Sequence, residues 1–373
     1  MSDEISATVA DGVGHVTLDR PQALNALSFE MIRELTAVFE LWRDDPEVGL
    51  VVLDGAGDRG FSAGGDIREL YGYVFDGNVT EAREFFRSEY RLDAMIARYP
   101  KPVVAIMDGI TMGGGIGLAG HAAIRVVTER SRVAMPETRI GFTPDVGGSW
   151  LLAKAPGELG VHLALNSRTM DAADAIHTGF ADSFVPSGRI PHLLQALAER
   201  ADPGSPAEIV MLFDETPGPS SLALARDWVD ACYSAPTVSE IIGRLRAFAE
   251  QTPHDASSSF PTHPLDSAAF ADAAAAADEL ESLSPTALTV TLESVRRART
   301  LRTIEEALEQ EFRLVSWFIE QPDLREGIRA QVIDKDRSPR WNPATLDDVD
   351  PELAARVIET PVHDPVWPSP VVE

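Results

Sequence analysis

Two segments of the chain join a run of apolar residues to a glycine-rich turn and the start of a helix. In the first, residues 49–54 (Gly-Leu-Val-Val-Leu-Asp) precede residues 60–67 (Gly-Phe-Ser-Ala-Gly-Gly-Asp-Ile). In the second, residues 102–107 (Pro-Val-Val-Ala-Ile-Met) precede residues 108–117 (Asp-Gly-Ile-Thr-Met-Gly-Gly-Gly-Ile-Gly). A short apolar run that ends in glycines is typical of a strand leading into a tight turn. The repeated pattern therefore predicts an α/β fold.

The two glycine turns also suggest a chemical use. Each leaves backbone N–H groups free at the start of a helix, where the helix dipole favours negative charge. Two such groups that point at one oxygen form an oxyanion hole, and glycine leaves room for that oxygen. The simpler alternative is that the glycines only let a helix pack closely on a strand. For either segment alone, this packing alternative is the stronger one.

A third segment, residues 134–148 (Ala-Met-Pro-Glu-Thr-Arg-Ile-Gly-Phe-Thr-Pro-Asp-Val-Gly-Gly), places Glu137 and Asp145 in one loop. A proline precedes each acid, and glycines allow the chain to bend around them. Such a loop can present both acids to one point, as water activation or proton transfer beside a carbonyl requires. The alternative is that the acids form salt bridges that brace the loop. The chain has 59 acidic residues, so two acids in one loop are not informative by themselves. The pair becomes a candidate site only in combination with the two glycine turns.

Composition excludes several classes of protein. With 373 residues, 44% of them hydrophobic, the chain can bury a large core as one elaborated domain or two. The net charge of −27 argues against nucleic acid as a partner. No apolar run approaches the roughly 18–20 residues of a membrane helix. A single cysteine, Cys232, and an N-terminus without a targeting pattern predict a cytoplasmic protein. None of the eight histidines has tight ligand spacing, so no metal is expected.

Periodicity predicts how the elements are arranged. Alternating residues on both sides of Asp11 and Gly12 predict a hairpin, and Ser28 predicts the cap of a following helix. Short helices are expected near residues 146–153, 159–166 and 171–178. A long amphipathic helix is expected over residues 303–320, with an apolar face that comprises Ile304, Leu308, Phe312, Val315 and Ile319. We predict a catalytic core over residues 1–200, a helical region over residues 201–350 and a proline-rich tail over residues 351–373.

Taken together, the three segments resemble the crotonase (enoyl-CoA hydratase/isomerase) superfamily. Residues 19–27 (Asp-Arg-Pro-Gln-Ala-Leu-Asn-Ala-Leu) are similar to another motif of that family. Residues 109–118, 134–148 and 334–341 resemble motifs of a branch that hydrolyses acyl-CoA thioesters, so the likeness covers roughly residues 5–350. It implies a spiral core of ββα units followed by a helical C-terminal region. It also implies an acyl-CoA substrate whose CoA needs no separate cofactor, and members commonly form trimers or hexamers, which makes a homo-oligomer an open expectation.

The resemblance also implies roles for individual residues. Gly65 and Gly114 match the positions whose N–H groups form the family's oxyanion hole, and Gly114 also contacts substrate. Glu137 matches the family's catalytic glutamate. Asp145 matches an acid specific to the hydrolase branch, and both acids are expected to bind substrate as well. Glu89 matches a glutamate of that branch that contacts substrate, although on a helix it could equally be one more solvated acid.

One position separates hydrolysis from hydration. The family's hydratases carry a second catalytic glutamate where this chain has Gly117, so the resemblance favours hydrolysis of a thioester. The expected substrate is a short branched 3-hydroxyacyl-CoA, in the first place 3-hydroxyisobutyryl-CoA from valine breakdown. The alternative is a hydratase or isomerase of short enoyl-CoA. His121, on an apolar helix, is expected to be a packed, hydrogen-bonded residue without a catalytic role.

Other classes of protein fit the sequence less well. Residues 115–120 satisfy the G-x-G-x-x-G pattern of dinucleotide-binding folds. The acid about twenty residues later is Glu137, however, which enters a Pro/Gly loop and does not end a second parallel strand. No G-x-S-x-G nucleophile turn is present, which argues against a serine-triad hydrolase. A non-catalytic CoA-binding role stays open, and the sequence does not reveal which arginine or lysine would bind the phosphates of CoA.

Overall fold

The computed structural model describes residues 2–199, 205–251 and 267–367. Nine strands occur in these residues: β1 (Ile5–Ala10), β2 (Val13–Leu18), β3 (Leu50–Gly55), β4 (Gly60–Ser62), β5 (Val103–Met107), β6 (Ile110–Met112), β7 (Ile124–Val127), β8 (Arg132–Ala134) and β9 (Ser183–Phe184).

The same residues form sixteen α-helices. Seven belong to the first 180 residues: α1 (Phe29–Arg43), α2 (Ile67–Phe75), α3 (Val79–Ala97), α4 (Gly114–Ala119), α5 (Gly148–Lys154), α6 (Leu159–Leu165) and α7 (Ala172–His177). Nine follow: α8 (Ile190–Glu199), α9 (Pro206–Met211), α10 (Ser221–Tyr233), α11 (Val238–Ala249), α12 (Ser267–Ser282), α13 (Pro285–Ala298), α14 (Ile304–Phe318), α15 (Pro322–Ile328) and α16 (Leu353–Glu359).

A six-stranded sheet with the order β1-β2-β3-β5-β7-β9 forms the centre of the fold. Strands β1 and β2 form the predicted antiparallel hairpin, and the other neighbours are parallel. Successive residues of β3 face opposite sides: Leu50 and Val52 contact a cluster that includes residues of α8 and α9, whereas Val51 and Leu53 join the main core. Because both faces are covered, the strands read as continuous apolar runs.

A second, three-stranded parallel sheet has the order β4-β6-β8. Each of its strands follows a strand of the large sheet, so the chain repeats a strand, a second strand and a helix. This arrangement confirms the α/β class and the ββα core that the resemblance implies. Ser62 of β4 pairs with Thr111 of β6. The two glycine turns that follow these strands are consequently neighbours, although about fifty residues separate them in the sequence.

The C-terminal half is helical, as predicted. Helix α14 spans most of the predicted amphipathic helix, and Thr303 caps it by accepting a hydrogen bond from the Glu306 N–H. Helix α16 lies within the predicted proline-rich tail, where it packs on α13 and α14 and buries Ala354, Val357 and Ile358. The domain boundaries near residues 200 and 350 stay predictions. Every helix in the described part of the chain is too short or too polar to cross a membrane.

Candidate active site

All five site residues predicted from the sequence line one cavity of about 260 Å³. The cavity lies where the two glycine turns meet the loop after β8 and helix α3. Its wall is otherwise mainly apolar, and the large apolar side chains are Ile67, Leu70, Phe85, Phe86, Ile140, Phe142, Val146 and Val332. The structure therefore joins Gly65, Gly114, Glu89, Glu137 and Asp145 in a single concave site.

The backbone N–H groups of Gly65 and Gly114 lie close together. A Cβ atom at Gly114 would be 3.0 Å from the Gly65 nitrogen, and a Cβ atom at Gly64 would be 3.0 Å from the Gly114 nitrogen. Gly114 is the first residue of α4, so its N–H has no intrahelical acceptor. Within the described residues, neither of the two N–H groups donates a hydrogen bond to another protein group. Both are free to bind an acceptor in the cavity.

Two carboxyl groups flank this turn. Glu137 begins a short 3-10 helix (Glu137–Ile140), and its Oε1 would be 3.1 Å from a Cβ atom at Gly113. Glu89 projects from α3, and its Oε1 would overlap a Cβ atom at Gly114. Oε1 of Glu89 and Oε2 of Glu137 are buried and have no hydrogen-bond partner among the described residues. Glycine at positions 113 and 114 is thus what allows both acids to approach the turn.

Asp145 is held by its neighbours in a strained loop. The Tyr90 hydroxyl donates a hydrogen bond to Asp145 Oδ2 at 2.9 Å. Val146 and Gly147 both have left-handed backbones, with φ of 53° and 76°. This conformation is costly for a β-branched residue such as Val146, and strain of this kind is typical of functional sites. It also explains why α5 begins at residue 148, later than the predicted 146.

His121 supports the same loop. Its Nε2 lies 2.8 Å from the Val146 carbonyl oxygen, and its ring would overlap a Cβ atom at Gly147. Burial lowers the pKa of His121 to about 4, so the ring is neutral and donates its single proton to the carbonyl. His121 does not line the cavity. These contacts fit the packed, hydrogen-bonded role expected from the sequence.

Glu311, which the sequence analysis missed, secures the loop from the helical region. Its carboxylate accepts hydrogen bonds from the Gly147 N–H at 2.7 Å, the Ser149 N–H at 2.9 Å and the Ser149 hydroxyl at 2.5 Å. These donors lie at the N-terminus of α5, where a carboxylate caps the helix and meets its dipole. The one indication in the sequence is that a glutamate lies on the otherwise apolar face of α14, beside Leu308 and Val315.

Asp93 is a second buried acid that the sequence analysis missed. It lies one turn after Glu89 on α3, is fully buried, and has no hydrogen-bond partner for either carboxyl oxygen among the described residues. A Cβ atom at Gly117 would be 2.8 Å from both oxygens of Asp93. The Asp93 carboxyl group therefore fills the space next to Gly117 that any side chain at that position would need.

Burial raises the pKa of every carboxyl group in this cluster. It is the largest cause for each of the five: Glu89, Asp93, Glu137, Asp145 and Glu311. The pKa of Asp145 is raised to about 7, although the Tyr90 hydrogen bond lowers it. That of Glu311 is raised to about 8, against the effect of its hydrogen bonds to Ser149 and Gly147. For Glu89 and Glu137, the nearby charge of Asp145 adds to the effect of burial.

These pKa values predict that the site destabilises the fold as pH rises. The folded-state pKa of Asp145 lies above its usual value of 3.8, so its stabilising contribution is complete below pH 4 and is lost as pH rises through about 7. Asp145→Asn should therefore exceed the wild type in free energy of unfolding by about 2–4 kcal/mol at pH 8, with little difference at pH 4. Urea denaturation at both pH values measures this. Equal stability at pH 8 would show that Asp145 ionises in the fold without cost.

Glu311→Gln should loosen the loop, because an amide accepts through only one of its two outer atoms. At about pH 9, above the Glu311 pKa of about 8, the hydrogen bond that is lost is one to a charged group and contributes about 1.5–3 kcal/mol, so amide hydrogen exchange over residues 145–149 should become at least about tenfold faster than in the wild type. Asp174 is a matched control: it is a buried acid that accepts hydrogen bonds from Ser220, Ser221 and the Leu222 N–H at the start of α10. Asp174→Asn should speed exchange at residues 220–222 only. If exchange over residues 145–149 is unchanged in Glu311→Gln, the hydrogen bonds of Glu311 do not stabilise this loop.

Comparison with known proteins identifies the family of this chain. The family model described as enoyl-CoA hydratase/isomerase matches residues 13–358. Among curated relatives, the mitochondrial 3-hydroxyisobutyryl-CoA hydrolase of Gallus gallus is 37% identical over 350 residues, which cover 92% of this chain and 85% of that protein.

Two solved structures carry other names. A carnitinyl-CoA dehydratase from Mycobacterium thermoresistibile has a TM-score of 0.87 and 42% identity, with 98% of this chain and 99% of that one covered. An enoyl-CoA hydratase from Rhodobacter sphaeroides 2.4.1 has a TM-score of 0.83 and 40% identity, with 95% and 97% covered. The two solved structures share the fold of this chain. The names of these structures and of the curated relative state different reactions. With a family match over most of its length and a ββα core, the chain belongs to the enoyl-CoA hydratase/isomerase family.

Proposed function

We propose that this protein hydrolyses a short branched 3-hydroxyacyl-CoA thioester, with 3-hydroxyisobutyryl-CoA as the preferred substrate. The observation that carries the proposal is the pair of free N–H groups at Gly65 and Gly114, which face Glu137 and Asp145 in a small cavity. The apolar wall suits a short acyl chain, and the buried acids suit its hydroxyl group. The curated relative named as a hydrolase of this substrate supports the same conclusion.

In the proposed reaction, the thioester carbonyl oxygen accepts hydrogen bonds from the two glycine N–H groups. These donors stabilise the negative charge that develops on the oxygen in the transition state. Burial raises the pKa of Glu137, and the group acts through its ionised form in one of two ways. It attacks the carbonyl carbon to form a mixed anhydride that water cleaves, or it removes a proton from a water that attacks. On both routes the C–S bond breaks, the sulfur gains a proton, and CoA leaves with the free acid as the second product.

Asp145 and Glu89 are proposed to orient the substrate. Asp145 is held by Tyr90 and by the loop that Glu311 secures, so its carboxyl group can accept a hydrogen bond from the substrate hydroxyl or from the attacking water. Glu89 lies next to Gly114 in the same cavity and can bind the same hydroxyl end. A carboxyl group with a pKa near 7 can serve as acid or base near neutral pH, which suits Asp145 for moving a proton to the departing sulfur.

The structure at Gly117 favours hydrolysis over the hydratase alternative. The family's hydratases use a second glutamate at this position, and here the neighbouring Asp93 carboxyl group occupies the space for it. One of two acid–base groups for adding water across a double bond is therefore absent. The absence of a separate cofactor, the homo-oligomer and the cytoplasmic location stay predictions, and the curated relative is itself named mitochondrial.

Release of the CoA thiol tests the proposal directly. Purified protein should release thiol rapidly from 3-hydroxyisobutyryl-CoA and at least about tenfold more slowly from acetyl-CoA, which lacks the hydroxyl group that the acids bind. Glu137→Gln should reduce release by about 10²-fold or more, because neither the nucleophilic nor the general-base role survives loss of the charge. Rapid hydration of crotonyl-CoA without thiol release would instead support the hydratase alternative.

A paired substitution tests the role of Asp93. Gly117→Glu alone should misfold or lose thermal stability, because the new side chain overlaps the Asp93 carboxyl group. Adding Asp93→Gly should restore the melting temperature toward that of the wild type by vacating the space, and Asp93→Gly alone serves as the control for the lost side chain. If Gly117→Glu is as stable as the wild type, Asp93 does not occupy the position as we infer.

A further inference from the structure

The lining of the active-site cavity divides into a buried floor and a more exposed mouth. Ile67, Ile140 and Val332 are partly exposed and therefore mark the mouth. Phe86 and Phe142 are only 4% and 3% exposed, so they lie at the floor. A cavity of about 260 Å³ is smaller than the roughly 300–1,000 Å³ of pockets for drug-sized ligands, so CoA itself does not fit inside. Under the proposed function, CoA extends through the mouth and the acyl chain points to the floor.

The two phenylalanines at the floor form a stacked pair next to the acids. The ring centroids of Phe86 and Phe142 are 5.8 Å apart, and the ring planes are 28° from parallel. Phe86 lies one turn before Glu89 on α3, so the two side chains share a face of that helix. Phe142 lies three residues before Asp145 in the same loop. An acyl chain whose hydroxyl group is bound by these acids therefore meets the two rings where it extends further.

Buried neighbours that do not line the cavity hold this aromatic pair in place. Phe142 packs against Phe318 with 5.5 Å between ring centroids, and Phe318 is fully buried. Phe86 packs against Tyr90 at 6.2 Å, and the Tyr90 hydroxyl is fixed by its hydrogen bond to Asp145. Since protein interiors are close-packed, a ring with buried neighbours behind it has no space to turn into. The pair is therefore a fixed end wall.

Phe85 and Leu70 also line the cavity, but they lie elsewhere in it. The Phe85 ring would be 3.3 Å from a Cβ atom at Gly65, so it borders the glycine turn. Every acyl-CoA would place its carbonyl group there, whatever the length of its chain. Leu70 lies one turn after Ile67 on α2, and so on the side of the mouth. Neither residue is placed to distinguish a short acyl chain from a long one.

We propose that the stacked rings of Phe86 and Phe142 set the longest acyl chain that the site accepts. The inference rests on the proposed function, because it takes the acyl group of a CoA thioester as the occupant of the cavity. The end wall admits a branched four-carbon 3-hydroxyacyl group and rejects straight 3-hydroxyacyl groups of six or more carbons. One methylene group too many for an apolar pocket typically changes discrimination by about 10–200-fold, so two further carbons are selected against strongly.

Titration calorimetry with Glu137→Gln tests the end wall without turnover, because the proposed reaction is blocked in this variant. It should bind 3-hydroxyisobutyryl-CoA at least about tenfold more tightly than 3-hydroxyhexanoyl-CoA. Adding Phe142→Leu or Phe86→Leu, two independent variants, should reduce this ratio at least about fourfold, the gain from burying one methylene group in the new space. Phe39→Leu is the matched control, because the Phe39 ring is also buried but packs on Tyr99 at 4.9 Å, away from the cavity. It should leave the ratio unchanged.

These measurements separate the end wall from the proposed reaction. If the wild type releases no thiol but the binding ratio falls in the aromatic variants, the hydrolysis is wrong and the end wall stands. Equal affinity of Glu137→Gln for both thioesters, or a ratio that neither aromatic variant changes, overturns the end wall even where thiol release is rapid. A ratio that falls in Leu70→Ala but in neither aromatic variant overturns it too, because the acyl chain would then end at α2.

Discussion

The close approach of the two glycine turns is the constraint on which the site depends. Strands β4 and β6 pair so tightly that a Cβ atom at Gly60 would lie within 2.5–2.8 Å of the backbone of Ile110. The same proximity continues into the turns, where Gly64 meets Gly113 and Gly114. Side chains at these positions would separate the strands. The free N–H groups of Gly65 and Gly114 are therefore a consequence of how the two strands pair, and the acids are arranged around them.

The cost of this arrangement is a cluster of buried acids. Burial is the largest cause of the raised pKa of these five carboxyl groups, and none of them has an arginine or lysine as a hydrogen-bond partner among the described residues. Apolar residues of similar size would often be more stable at these positions, so the cluster fits the catalytic role that we propose. Glu311 differs from the others because three donors satisfy it. It uses its position to hold the strained turn at Val146 and Gly147, and so the helical region contributes directly to the geometry of the site.

The proposed choice between hydrolysis and hydration rests on the arrangement at Gly117. Under the proposed function, Gly65 and Gly114 supply the oxyanion hole and Glu137 the first acid, and the reaction depends on which further acids approach the bound acyl group. In this chain, Asp93 occupies the space that a glutamate at position 117 would need. Asp145 adds a carboxyl group from the loop that Glu311 holds. Under the proposed function, these two buried side chains favour attack on a thioester over addition of water to a double bond.

Much of this organisation could be predicted from the sequence, because it depends on local features. The buried strands, the hairpin at Gly12, the capped helix after Ser28 and the glycine turns are set by periodicity and by the conformational freedom of glycine. The family motifs in addition pointed to Gly65, Gly114, Glu89, Glu137 and Asp145 as one site, and the structure places these five around one cavity, while their catalytic roles stay proposals.

Only the tertiary structure decided which distant residues meet. Glu311 lies 162 residues beyond Ser149, and Asp93 opposes Gly117 across the contact between α3 and α4. On a helix, neither acid can be told from a solvated one until the packing of that face is known. The burial of α16 within a proline-rich tail could not be predicted for the same reason. Its apolar residues are few, and they are buried only because α16 packs on α13 and α14. Local patterns determined the elements, whereas long-range packing determined which charges are buried, since burial depends on neighbours that sequence spacing does not reveal.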